Sequence, residues 1–381
     1  MGTLGDISDA EFNAIANKIK TNELKTPFDV FIAANRALVF KTNETAVAPP
    51  QHYARLYQQL STLNNEAVFE SFNATFIKVQ GYDGEEDRIL VSFTANGTAY
   101  QTVNYYSENF LIDSSFYKIM NRVLADKNSP YRFYYVYYRK PSSIGFETTD
   151  WHTFGVISLT EQQAYVLREA KLLDISYGEH DILSTDTMNN IVATFKKTGL
   201  FSHLNEESFE RERQELFRYT YTNPLPILSS FSNVTYWFDA ETSNFENPYE
   251  EITLGLVDVS HGAFTPMNIT DNFTMDEPTP FSFVFDGKRY ETNLTSSGDW
   301  LDLSFIDLIT RALNESKVDG NFYLLDTGDQ SVQVIFLTTP QYETIVANRL
   351  LPIVAESDAV ERGKEFEEEV FRRLGGGKEL A

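Results

Sequence analysis

Two stretches of this chain share one alternation of apolar and polar positions. Residues 91–102 read VSFTANGTAYQT and residues 281–292 read FSFVFDGKRYET. In each, apolar residues recur every second position up to a Gly-containing pair and again beyond it, the period of a half-buried strand. Asn96-Gly97 and Asp286-Gly287 supply two residues that tolerate positive φ, so each stretch predicts a β-hairpin closed by a type I′ turn. Ser92, Phe93, Gly97, Tyr100 and Thr102 each recur 190 positions later.

The correspondence continues. FYKIMNRVL (116–124) and FIDLITRAL (305–313) carry apolar residues at helical spacing, and both place an arginine, Arg122 and Arg311, at the same point. RFYYVYY (132–138) answers NFYLLDT (321–327), and both read as strands. LTEQQAYVLREAKLL (159–173) answers LTTPQYETIVANRLL (337–351). The spacing of Thr160 with Gln163, and of Thr338 with Gln341, is that of a capping box at a helix start. Nearer the N-terminus, 7–20 resembles 183–196, and SFNATF (71–76) resembles SFSNVTY (230–236).

The chain therefore reads as an internal duplication of a unit of roughly 180 residues, in line with ordinary domain sizes. The predicted class is α+β: N-terminal helices, then an antiparallel sheet in ββαββα order with helices on one face. The expected divisions are 1–173, 174–354, and a charged helix with a Gly-rich end over 355–381. In the last, Phe366, Val370 and Leu374 stand at helical spacing. The copies differ in two places. The first has extra residues within RKPSSIGFETTDWHT (139–153), and the second has an acidic insertion near 239–280. Loops on a rigid scaffold commonly carry binding, so these are the expected places of function.

Charge narrows the partner. The formal net charge is −24 over 381 residues, which repels phosphate backbones and makes nucleic acid an unexpected partner. A basic protein partner fits better. The absence of cysteine removes disulfides, thiolate ligands and a cysteine nucleophile, and suits a reducing, cytoplasmic setting. The start, MGTLGDISDAEF, has neither a basic n-region nor an apolar core, so no signal peptide is expected. No apolar run reaches membrane-spanning length, so no membrane is expected either. Eight Asn-x-Ser/Thr sequons are taken as an Asn/Thr-rich surface.

Several motifs have catalytic overtones that their contexts withdraw. Asp326-Thr327-Gly328 resembles the aspartic-protease triplet, but the first copy offers no second triplet to share a proton. Ser115-x-x-Lys118 with Lys197-Thr198-Gly199 resembles the penicillin-recognising set, but the latter triplet ends a predicted helix, where Gly199 is a C-cap. Glu179-His180-Asp181 reads as a linker, and the acidic run at 81–88 lacks calcium-loop spacing. No catalytic residue, cofactor site or metal site is therefore expected. The candidate binding residues are Asp150, Trp151 and His152 in the first insertion and Glu250 and Glu251 in the second. The expected function is non-enzymatic: an acidic, immunity- or antitoxin-type inhibitor of a basic protein. The alternatives are a structural component of an assembly, and a hydrolase using a cleft between the copies.

Overall fold

A computed structural model describes residues 9–21, 23–24, 26–41, 48–64, 66–81, 84–106, 114–136, 153–176, 178–240, 246–274, 278–296, 300–329 and 331–354. The chain divides into two compact units, one of Met1–Asn189 with Arg213–Asn223 and one of Asn190–Glu212 with Pro224–Ala381. The class is α+β, and every strand pairing is antiparallel.

The first unit runs α1 (Asp9–Lys20), α2 (Pro27–Ala33), β1 (Ala37–Lys41), α3 (Pro49–Leu63), β2 (Phe69–Gly81), β3 (Gly84–Ala95), β4 (Thr98–Tyr105), α4 (Ser114–Asp126), β5 (Tyr131–Val136), β6 (Thr153–Thr160) and α5 (Glu161–Glu169). Local chemistry sets several starts. Thr26 and Asp29 form a capping box before α2, with Pro27 at its first turn. Thr160 and Gln163 do the same for α5. Between β3 and β4, Asn96 and Gly97 have φ of 51° and 77°, the positive pair that a type I′ turn requires.

This unit has two sheets where the periodicity predicted one: β1-β6-β5 and β2-β3-β4. Ile89, Val91, Phe93 and Ala95 of β3 are buried, and the residues between them are less so. They share a core with Tyr53, Leu56 and Leu60 of α3 and Phe116, Met120 and Val123 of α4. Leu38, Phe40, Phe133 and Val156 of the other sheet join the same core. A second apolar layer, with Phe28, Phe31, Ala164 and Leu167, packs with Tyr134, Ile157 and Leu159, so β1-β6-β5 is covered on both faces. Each fully buried side chain of this size contributes about 1.5–3 kcal/mol relative to exposure.

The second unit contains α6 (Thr185–Lys197), α7 (Glu206–Leu216), α8 (Pro224–Ser229), β7 (Thr235–Asp239), α9 (Pro248–Val259), β8 (Met267–Asp271), β9 (Thr279–Phe285), β10 (Lys288–Leu294), α10 (Phe305–Glu315), β11 (Asn321–Leu325), β12 (Ser331–Leu337), α11 (Thr339–Asn348) and β13 (Ile353–Val354). The first turn of α6 and the end of α7 lie in the residues of the first unit. Its sheets are β10-β9-β8 and β13-β11-β12-β7. The β9–β10 turn has Asp286 at φ 49° and Gly287 at φ 72°. Thr338 donates its N–H to Gln341 Oε1 at 2.9 Å, opening α11. With α7 and the final β13 set aside, the elements follow each other in the same order as in the first unit.

Two readings of the sequence are corrected here. Residues 71–76 lie in β2, whereas 230–236 lead into β7, which belongs to the other kind of sheet. A short aromatic strand looks alike on any edge, and only its distant partner distinguishes it. The acidic segment near 239–280 is no loop insertion. It contains α9 and β8, which stand in the order where α3 and β2 stand in the first unit. Tyr249, Ile252, Leu256 and Val259 of α9 are in the core, and the acids occupy the remaining positions of an amphipathic helix. Gly255 is required there: a Cβ on it would lie 2.2 Å from the Tyr236 ring.

Candidate functional site

Of the five binding candidates from the sequence, Asp150, Trp151 and His152 lie outside the described residues. Glu250 and Glu251 lie in the first turn of α9, where carboxylates favour the positive end of the helix dipole. The helix start is fixed by Asp271, which ends β8. Its Oδ2 accepts from the N–H groups of Tyr249 at 2.8 Å and Glu250 at 3.1 Å. Burial pushes the Asp271 carboxyl up from its ordinary value, against these amide bonds.

Glu251 reaches toward the edge strand β7. Tyr236 of that strand packs on α9 over Gly255, and its hydroxyl is raised by burial and then by the Glu251 charge. The next residue alternates to the other face of the strand, and Trp237 is 59% exposed there. Leu254, three residues beyond Glu251, is also exposed. Two carboxylates on a helix turn, anchored from beneath, thus stand on one side of an edge strand that shows a bare indole on its other side. In the sequence, acidity alone draws attention to Glu250 and Glu251 and not to Trp237. Its signal was present: in TYWFD the aromatic neighbours Tyr236 and Phe238 take the α9 face, which leaves the tryptophan on the opposite one.

Other chemistry-bearing residues resolve as follows. Asp326, Thr327 and Gly328 form the turn after β11, where Gly328 N–H bonds Asp326 Oδ1 at 3.1 Å. Gly199 ends α6 at φ 84°, as a C-cap. Glu179 and His180 sit in a 3₁₀ turn that packs on β5 and α4 instead of spanning a free linker. Glu179 is 3% exposed, one carboxyl oxygen has no partner, and burial raises its pKa. Among the described residues no group of three His, Asp or Glu is placed to hold a metal. Among them, too, no helix is long and apolar enough to cross a membrane.

The second unit also holds a histidine pair that no spacing announced. His203, before α7, and His261, after α9, stack with ring centroids 3.8 Å apart and planes 14° from parallel. His203 Nε2 lies 2.7 Å from the Ser232 carbonyl, and Ser232 in turn donates to Glu212 from its N–H and its hydroxyl. Burial, and then His203, push His261 down to about 4. The unfolded imidazole titrates near 6.5, so between those values the unfolded chain binds more protons. This contribution to stability is complete above pH 6.5 and is lost as pH falls toward 4. In thermal melts across that range, His261→Gln should flatten the acid loss relative to the parent. Parallel curves for the two proteins would rule the pair out as its source.

No protein-family model, no curated protein and no solved structure matches this chain.

Proposed function

We propose that this chain is a tandem duplication of one α+β unit serving as a non-enzymatic binding protein. Its second unit presents an acidic helix turn, and an exposed indole on the far side of the neighbouring edge strand, to a basic protein partner in the cytoplasm. An immunity- or antitoxin-type inhibitor of that partner is the concrete form of this reading. One observation carries it: Glu250 and Glu251 are held on an anchored helix turn, and the edge strand on which that helix packs exposes Trp237 from its other face. Tryptophan is enriched among the energetic centres of interfaces. Acidic complementarity adds steering and selectivity for a basic surface. The same-order succession of elements in the two units, with equivalent hairpin turns and helix caps, supports the duplication.

The test is capture from native lysate with the tagged chain at low and moderate salt, followed by titration of the captured protein. Trp237→Ala should weaken binding by at least about thirtyfold, the scale of an interface hot spot. Glu250→Lys with Glu251→Lys should slow association and remove most of its salt dependence. A captured partner that binds both variants as tightly as the parent would show that the face lies elsewhere.

A further inference from the structure

Helices α1 and α6 carry related sequences. Asn13, Ile15 and Lys20 of α1 recur as Asn189, Ile191 and Lys196, each 176 positions on. At the same step Phe12, Ala16 and Ile19 answer Met188, Val192 and Phe195. Such positions share one face of a helix. In α6 all three are buried. In α1 Phe12 is 55% exposed and Ile19 50% exposed, and among the described side chains of that helix only Ile15 is buried.

What differs is the helix that covers α6. Phe195 meets Phe201 edge-on with ring centroids 6.4 Å apart, and Phe201 meets Phe209 of α7 at 5.5 Å. Lys196 lies 3.9 Å over the Phe209 ring and pairs with Glu206 at 2.9 Å. Among the described residues the first unit has no counterpart of α7. Only residues 21–26 separate α1 from α2, less than two helical turns. Cover of this kind for Phe12 and Ile19 has to come from elsewhere.

The charges of α1 say what fits. Asp9 and Glu11 stand at its start, Lys18 and Lys20 at its end. The helix is thus neutral in a chain of net charge −24, and two copies of it do not repel each other. Positions 9 and 20 fall on one flank of the apolar face, 11 and 18 on the other, and in an antiparallel pair like flanks meet. Both acid–lysine pairs are symmetric about the same point, between residues 14 and 15, and Phe12 and Ile19 are symmetric about a point one residue further on. A second α1 turned end for end therefore sets lysine against acid at both ends. A parallel pair would set like charge against like.

We propose that α1 pairs antiparallel with the α1 of a second copy of this chain, Phe12 of each against Ile19 of the other, in a two-fold dimer. The inference does not rest on the binding reading of the second unit. Two helices of 12 residues bury less than a standard interface, so the dimer is weak, with a dissociation constant of about 10 µM or more.

Sedimentation equilibrium of the full chain tests this from about 1 to about 500 µM, with circular dichroism as the check on folding. The parent should pass from monomer to dimer within that range and go no further. Phe12→Asp joined to Ile19→Asp should weaken the dimer at least about thirtyfold, and the exposure of both side chains leaves the fold intact. One chain with Asp9→Lys and Glu11→Lys, and another with Lys18→Glu and Lys20→Glu, should each self-associate at least about tenfold more weakly than the parent. Their equimolar mixture should regain the parent's affinity, because every acid again faces a lysine. A parent that stays monomeric throughout would overturn the proposal. So would a dimer indifferent to the Phe12 and Ile19 substitutions, growth past two copies, or a mixture no tighter than its components.

Discussion

Arg122→Ala lowers the stability of the first unit by about 3 kcal/mol, the scale for removing one partner of a buried, charge-assisted set of hydrogen bonds. The guanidinium is buried, and burial lowers its pKa from the ordinary value. It is retained because it ends two orphan carbonyls, Phe217 and Tyr219, that have left helical geometry after α7. Alanine would leave both oxygens unpaired and a void the length of the side chain. Arg122→Lys should recover little, since a point donor cannot reach two carbonyls in the fixed fork of an arginine. Denaturant titration gives the loss, and hydrogen exchange should place it in α4 and residues 213–223. A loss under about 1 kcal/mol would mean that water replaces the guanidinium at no great cost.

Gly320→Ala should destabilise the second unit by a similar amount, about 3 kcal/mol, by a different route. Gly320 enters β11 at φ 139°, a region that L side chains rarely occupy. A Cβ there would also lie 2.7 Å from Phe336 Cζ and 2.8 Å from the Leu337 carbonyl oxygen. The phenyl ring can turn aside, but the carbonyl belongs to the β11–β12 ladder and cannot move without breaking it. Exchange should therefore accelerate in 321–337 first. A variant that melts with the parent would show that the strand start can be rebuilt around a side chain. The strand β5 of the first unit begins at Tyr131 with no glycine before it, so glycine is a demand of this one junction.

Short-range chemistry was legible in the sequence. The Asn-Gly and Asp-Gly turns and the Thr-x-x-Gln caps are each settled within a few residues, and the structure places them where the spacing put them. The α+β class followed from the change of period along the chain. What the sequence hid was pairing at a distance. β1 joins β6 by setting Ala37 against Ile157, and no local feature of ALVFK selects that partner over the hairpin nearby. Two sheets therefore merged into one in the reading. The site was half visible for the same reason. Acidity drew attention to Glu250 and Glu251, but only the burial of Tyr249, Ile252 and Leu256 shows a helix beneath them. Trp237 becomes an exposed group only once its neighbours are assigned to the core.

The borders of the two units bear on how such a chain can be inherited. The first unit draws Arg213–Asn223 from beyond residues that belong to the second, so the backbone passes between them three times. A single crossover at residue 189 would deliver Arg122 without the carbonyls it serves. Recombination that exchanged one half for a homologue would thus need matched breakpoints on both sides of α7. When two units draw on alternating stretches of one chain in this way, they are transmitted as a pair, and drift in one is answerable to the other.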